Sequence, residues 1–292
     1  MKDLRLKIAV AALSGLVAIS LLFLHYRNLQ PNTARADALY NEAATLMRQG
    51  KLYEAETRLD QAVQLVPEDP HYLKALAEVL KNEGDFEGAM KRYLLEAELE
   101  NDNPKPLFEA GMLALRSGER DHAQQLFTDA LNRAPGDIPT LYQLGFLALT
   151  NSKFDDAAHY YQRIIAKSFR EPEAYRNLGF IDVQKDELDD AEQMYRNAIK
   201  YSPDNAELQN DFGNLMALRG KTDEARKAFT QALSLKPELR DAQINLDALN
   251  RSANPAAPTP APAPSPAPGA TALTPTPPSP APIPAPAPGG TP

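Results

Sequence analysis

The sequence contains no cysteine and only four histidines. Without a thiol the chain has no cysteine nucleophile, and no acylated cysteine can serve as a lipoprotein anchor. No two histidines have the spacing of a metal-binding pair: they are His25, His71, His122 and His159. The sequence also lacks a glycine-rich phosphate loop and a serine in a nucleophile-elbow pattern. We therefore expect no catalytic residues, no metal site and no cofactor, and predict that the protein is not an enzyme.

Basic residues are too few to balance the acidic ones. The whole chain carries a formal net charge of −8. Residues 36–251 hold 26 basic and 38 acidic side chains, which gives this part a net charge of −12. A surface of this sign repels phosphate backbones, so we expect no nucleic-acid partner.

Small and large residues recur at an interval of 34 positions through most of the chain. One register is always alanine: Ala55, Ala89, Ala123, Ala157, Ala191 and Ala225. Twelve residues before each of these lies a second small residue: Ala43, Ala77, Gly111, Gly145, Gly179 and Gly213. Four residues after each alanine lies a large one: Leu59, Tyr93, Phe127, Tyr161, Tyr195 and Phe229. The period predicts stacked units of two helices, in which the small residues mark the helix contact and the large one fills the gap beside it.

Turn residues recur in the same register. Glycine follows the first predicted helix of four units, where a left-handed C-cap is required: Gly50, Gly84, Gly118 and Gly220. Ser152 and Asp186 replace it in units four and five. Proline closes the second helix of four units: Pro67, Pro135, Pro203 and Pro237. Other departures include Glu96 at a usual alanine, Ile164 at a usual small residue and Asp182 at a usual apolar position. Neutral sequence variation that the repeat packing accepts explains these departures. The alternative is that units four and five form a locally less rigid junction.

This pattern resembles the tetratricopeptide repeat (TPR) family. The resemblance covers residues 36–239 and implies an all-α, right-handed superhelix of six helix-turn-helix repeats: 36–69, 70–103, 104–137, 138–171, 172–205 and 206–239. A capping helix is expected at 240–251. In that helix we expect Ile244, Leu246 and Leu249 to cover the last repeat, whereas the polar residues face water: Asp241, Asn245, Asp247 and Asn250.

An uncharged run at residues 8–24, from Ile8 to Leu24, predicts a transmembrane signal anchor. Residues 1–7 carry more positive charge than the linker at 25–35, which favours a cytoplasmic N-terminus. The repeats would then lie in the periplasm of a bacterial inner-membrane protein with a single span. Cleavage as a signal peptide near Ala34-Arg35-Ala36 is the alternative for this segment.

The other end of the chain is rich in proline and alanine. The stretch from Asn254 to the C-terminus holds 16 of the 26 prolines and no charged side chain. It has too little apolar mass to form a core, so residues 252–292 are expected to be a disordered, extended tail.

The resemblance also implies where a partner would bind. TPR domains line a concave groove with the second, fifth, sixth, ninth, twelfth and thirteenth residues of each repeat. In repeats one and two these positions are polar and mixed, and in repeats three to five they are largely apolar. An apolar peptide or amphipathic partner helix would contact Phe108, Met112, Leu115, Tyr142, Phe146, Leu149, Phe180 and Val183. Polar side chains at the adjoining end would hydrogen-bond its backbone or a carboxylate: Arg176, Asn177, Asn210 and Asn214. Alternatively, tight curvature buries these side chains within the molecule.

These features predict a protein–protein interaction scaffold of the cell envelope, anchored to the membrane, that serves the assembly of a membrane complex or a secretion or pilus-type complex. Tyr40 and Ala44 occupy the positions where chaperone-binding TPR domains carry a Lys and Asn pair, so docking of that kind is not expected. Two alternatives remain: a self-assembling structural protein, and a membrane-anchored receptor that faces the cytosol.

Overall fold

The computed structural model describes residues 32–253, and these form helices joined by short turns, with no strand among them. The thirteen helices of this part are α1 (32–48), α2 (Leu52–Leu65), α3 (Pro70–Glu83), α4 (Phe86–Leu99), α5 (Lys105–Arg116), α6 (Arg120–Arg133), α7 (Ile138–Thr150), α8 (Phe154–Lys167), α9 (Pro172–Gln184), α10 (Leu188–Tyr201), α11 (Ala206–Leu218), α12 (Thr222–Leu235) and α13 (Arg240–Ala253). Two helices thus fall within each 34-residue repeat.

The described residues do not include most of the two ends of the chain, namely residues 1–31 and 254–292. None of the helices within 32–253 is both long and apolar enough to cross a membrane. The predicted anchor at 8–24 lies outside the described residues, and so does most of the predicted tail. Helix α1 already includes residues 32–35, which were assigned to the linker, and α13 extends to Ala253, past its expected end at 251.

The chain divides at Ala134 and Pro135 into two compact units. The N-terminal unit contains α1–α6, which are repeats one to three. The C-terminal unit contains α7–α13, which are repeats four to six and the last helix.

Within both units the three registers of small and large residues form the core. The six register alanines are completely buried, and the large residues four positions later are at most 2% exposed. The glycines press directly on those large side chains, since a Cβ atom built on Gly111 would lie 2.7 Å from Cε1 of Phe127. The small-small-large pattern therefore reports the contact between the two helices of a repeat, as the sequence predicts.

The turn between the two helices requires a left-handed residue in every repeat. The four glycines at this position have φ values of 70° to 90°, and Ser152 and Asp186 adopt the same conformation at 55° and 62°. A side chain with a Cβ is strained there by about 1–2 kcal/mol, whereas glycine is not.

Replacing Ser152 by glycine should therefore stabilise the C-terminal unit. The greater backbone entropy of glycine in the unfolded chain offsets part of the gain, which leaves roughly 0.5–1 kcal/mol. Urea unfolding of the two proteins measures the difference. The reciprocal change Gly118→Ser, at the same position of repeat three, serves as the control and should destabilise; equal stabilities for all three proteins would contradict the prediction.

Candidate functional site

The predicted binding residues lie on the first helix of each repeat, and we call the surface formed by the second, fifth, sixth, ninth, twelfth and thirteenth repeat positions the A-face. In the N-terminal unit its apolar part is a row along α5. Phe108, Met112 and Leu115 follow one another at intervals of four and three residues, so they lie on one side of the helix. All three are half-buried. The ring of Phe108 packs against that of Phe127, with centroids 5.6 Å apart.

Polar and charged groups lie beside this row. Lys81 on α3 forms an ion pair with Glu109 on α5, with Nζ and Oε2 3.3 Å apart. Lys74 and Lys105 are exposed. The α5 row is therefore an apolar strip with charged borders, and side chains of its own unit cover it only in part.

In the C-terminal unit the apolar A-face residues are more deeply buried than the sequence suggests. Tyr142, Leu149 and Phe180 are only 7%, 5% and 8% exposed, whereas Phe146 and Val183 are half-buried. The Tyr142 ring packs against Tyr161, with centroids 6.1 Å apart. These side chains thus act largely as core within their unit. Replacing Phe180 by serine would therefore leave a buried hydroxyl and a cavity. A loss of partner binding in this variant could not be distinguished from a loss of folding stability.

The polar A-face residues of repeats five and six are already engaged with one another. Arg176 donates from Nε to Oδ2 of Asp211 over 2.7 Å, and its Nη2 lies 2.6 Å from the same oxygen. Glu173 lies 3.6 Å from Nη1 of Arg176. Burial raises the pKa of Asp211 to about 6, an effect that the guanidinium of Arg176 partly offsets. Arg176 is therefore held in an intramolecular ion pair.

The three asparagines expected to bind a partner are buried as well. Asn177 donates its side-chain amide to the backbone carbonyl of Glu173 over 2.6 Å. Asn245 on α13 donates to Oδ1 of Asn210 over 3.1 Å and to Oδ1 of Asn214 over 2.8 Å. Asn210 and Asn214 thus join α11 to α13, whereas the Asn177 hydrogen bond lies within α9.

Two residues of the last helix, α13, differ in exposure from what the sequence predicts. Asn245 is 8% exposed and does not face water, whereas Ile244 is 50% exposed and does not cover repeat six. Leu246 and Leu249 do pack against the core of that repeat, as expected. The helix continues the repeat register, so Asn245 occupies the sixth position, which faces the preceding first helix, as Asp211 does one repeat earlier.

A signal for these contacts is present in the sequence. Arg176 and Asp211 are 35 residues apart, and so are Asn210 and Asn245. Polar residues separated by one position more than the repeat length can therefore pair between first helices of neighbouring repeats, and the sequence of a single helix does not reveal such a pair. Elsewhere among residues 32–253, no group of three or more His, Asp or Glu side chains could hold a metal ion.

Comparisons with known proteins agree with this architecture. Two tetratricopeptide repeat family models match the chain, one over residues 182–246 and the other over 40–106 and 142–179. No curated protein sequence matches at a significant level.

Solved structures share the fold at low sequence identity. YrrB, described as a TPR protein with an unusual peptide-binding site, is 20% identical with a TM-score of 0.54, and the match covers 64% of this chain and 96% of YrrB. PilF of Pseudomonas aeruginosa is 19% identical with a TM-score of 0.56, over 73% of this chain and 97% of PilF. A tetratricopeptide repeat protein from Parabacteroides merdae is 18% identical with a TM-score of 0.59, over 75% and 87% of the two chains. From the repeats, the helix pairs and the matching family models we conclude that the chain belongs to the tetratricopeptide repeat family, whose members generally act as protein–protein interaction scaffolds.

Proposed function

We propose that this protein is a non-enzymatic scaffold that holds a peptide or an amphipathic helix of another protein in the concave groove of its repeats. The supporting observation is the apolar row on α5, where Phe108, Met112 and Leu115 are half-buried within their own unit. Apolar side chains in such a strip gain free energy when a partner covers them. Met and aromatic side chains also carry binding energy well at interfaces. YrrB, which shares the fold, is described as having a peptide-binding site.

The proposal places this scaffold in the cell envelope. Residues 8–24 serve as a single membrane anchor, and the repeats extend into the periplasm of a bacterial inner-membrane protein. This arrangement suits the assembly of a membrane complex or a secretion or pilus-type complex. The uncharged run from Ile8 to Leu24 and the positive charges before it support the proposed orientation.

Site-specific crosslinking tests the groove. A photoreactive amino acid is placed at Lys105 or Arg116, two exposed A-face positions of α5, in the full chain in intact cells. We expect illumination to produce a discrete adduct with another protein. The double variant Met112→Glu/Leu115→Lys should remove that adduct, because a charged row cannot hold an apolar partner.

The variant is chosen so that it keeps the fold. Repeat two already carries Glu78 and Lys81 at these two positions, so the change copies an arrangement that a TPR helix pair accepts. Its thermal unfolding should therefore stay close to that of the parent. The same crosslinker at Gln125, exposed on the second helix of repeat three, is the control and should not give this adduct. An adduct that persists in the double variant, or none from either α5 position, would overturn the proposal.

A further inference from the structure

A second surface lies on α4, the second helix of repeat two, and its residues differ from those at the same positions of all other repeats. Leu94 and Leu95 on α4 occupy the twenty-fifth and twenty-sixth repeat positions. The other five repeats carry polar residues at the twenty-fifth position: Asp60, Thr128, Gln162, Arg196 and Thr230. They also carry polar residues at the twenty-sixth: Gln61, Asp129, Arg163, Asn197 and Gln231. The repeats thus provide an internal comparison, and it shows that these leucines are not required by the fold.

These leucines form an apolar strip on the outside of α4. Leu95 is 42% exposed and Leu99, one turn later, is 41% exposed, whereas Leu94 is half-buried. We call the surface formed by Leu94, Leu95 and Leu99 the α4 strip. Exposed large apolar side chains in consecutive turns of one helix are a feature of interaction surfaces.

A cleft of about 520 Å³ opens beside the strip and lies between α2 and α4 in the N-terminal unit. Leu94 and Leu95 line it, and so does Gly88 in the first turn of α4. Every other repeat has a polar or charged side chain at the position of Gly88: Glu54, His122, Asp156, Asp190 and Glu224. The carboxylate of Asp85 lies beside this glycine, because it caps α4 by accepting from the Gly88 N–H over 2.9 Å, and a Cβ atom at position 88 would overlap it.

The rim of the cleft is acidic. Four carboxylates line it, and they are Glu56, Asp60, Asp85 and Glu98. Two cations also line the rim. Nη2 of Arg92 lies 3.6 Å from Oδ1 of Asp60, whereas Nζ of Lys91 forms an ion pair with Oε1 of Glu87 over 2.6 Å. Burial, together with the carboxylates of Glu83, Asp60 and Asp85, raises the pKa of Glu56. Negative charge on the rim therefore exceeds positive charge.

We propose that the cleft between α2 and α4, with the α4 strip, is a second docking site that takes a basic amphipathic helix of a partner protein. Its apolar face would cover Leu94, Leu95 and Leu99, and its Lys or Arg side chains would pair with the rim carboxylates. The repeat region of a second copy does not meet this requirement, because residues 36–251 carry a net charge of −12. The proposal is independent of the α5 row, which lies on the first helix of its repeat.

Two synthetic peptides of about 14 residues, the length of α4, test the site. Both carry the same leucine face, and their polar faces carry either lysine or glutamate. Binding is measured by fluorescence anisotropy at about 0.15 M salt, with the full chain in nanodiscs of zwitterionic lipid and empty nanodiscs as background. We expect the lysine peptide to bind at least about tenfold more tightly than the glutamate peptide.

Variants distinguish the cleft from general attraction to an acidic protein. Leu94→Thr/Leu95→Gln copies residues found in other repeats and leaves the charge unchanged, and it should weaken lysine-peptide binding at least about tenfold. General electrostatic attraction would leave binding to Leu94→Thr/Leu95→Gln unchanged, because this variant has the same charge as the parent. Asn197→Gln, at the twenty-sixth position of repeat five, is the control and should bind like the parent.

Each remaining outcome counts against the site. Equal binding of both peptides, or of the lysine peptide to parent and Leu94→Thr/Leu95→Gln, would overturn the proposal. A mass in sedimentation that doubles with concentration in the parent, but not in Leu94→Thr/Leu95→Gln, would assign the strip to a second copy and overturn it too. None of these results affects the crosslinking test on α5.

Discussion

Replacing Gly213 by alanine should destabilise the C-terminal unit more than the same change at any other glycine of its register. A Cβ atom at this position would lie 2.5 Å from Cε1 and 2.7 Å from Cδ1 of Phe229, a side chain that is completely buried. Overpacking of this kind costs about 3 kcal/mol, and the better helix propensity of alanine returns about 1 kcal/mol. We therefore expect a net loss of about 2 kcal/mol in urea unfolding.

Gly179→Ala is the matched control, because it makes the same chemical change in the preceding repeat. There the added Cβ would lie 3.1 Å from the nearest atoms of Tyr195, a contact that a small shift relieves. The propensity gain then balances the strain, so the stability of this variant should stay within about 1 kcal/mol of the parent.

A second-site change tests whether the ring of Phe229 is the cause. Repeat one pairs Ala43 with Leu59, so the double variant Gly213→Ala/Phe229→Leu recreates an existing combination. It should lose less stability than the sum of its two single changes, with a coupling free energy of about 1–2 kcal/mol. Repeat two combines Ala77 with Tyr93, both buried, so helix pairs can adopt a spacing that accepts the methyl group. If Gly213→Ala proves as stable as the parent, the helices of repeat six move to such a spacing without loss of stability. The ring of Phe229 would then not be the reason for glycine at position 213.

Contacts within one repeat were predictable from the sequence, and the reason is physical. The helix pair is the same in all six copies, so each register of residues reports one contact six times. Gly213 and Phe229 belong to two of these registers, so their contact follows from the repeat pattern alone. The left-handed turn was identified similarly, and Ser152 and Asp186 adopt it although neither is glycine.

Exposure of the A-face was not predictable to the same extent. Whether Phe180 is open or covered depends on the spacing between first helices of neighbouring repeats, and no single register records that spacing. The Arg176–Asp211 ion pair and the Asn245 hydrogen bonds also join neighbouring repeats. The resemblance to TPR domains implies that Phe180 and Arg176 are A-face residues, but their partners lie one repeat away and differ from copy to copy.

Glu96 is the departure from the pattern with the largest energetic consequence. It lies on α4 at a position where repeats one, three, five and six have alanine, namely Ala62, Ala130, Ala198 and Ala232. The side chain is 5% exposed, and its Oε2 atom has no hydrogen-bond partner among the described residues. Burial raises its pKa to about 7; Lys74 opposes this shift, whereas Glu100, Glu78 and Glu109 add to it.

This shift predicts how stability depends on pH. Because the pKa is raised from 4.5 to about 7 on folding, the folded chain binds the proton more tightly than the unfolded chain does. The stability linked to Glu96 is therefore fully present below pH 4.5 and is lost as the pH rises to about 7. A shift of this size corresponds to about 3 kcal/mol.

Glu96→Gln isolates the effect, because glutamine has the shape of the protonated carboxyl group and cannot ionise. At pH 4.5 the variant and the parent should unfold at similar urea concentrations, whereas at about pH 8 the variant should be more stable by about 3 kcal/mol. Other titrating groups, such as Asp211, are common to both proteins and cancel in the difference. Glu98→Gln, exposed on the same helix, is the control and should show no such pH-dependent gain. A stability difference between Glu96→Gln and the parent that is the same at both pH values would mean that the carboxylate is ionised and solvated in the folded protein, because only a group desolvated on folding binds its proton more tightly there.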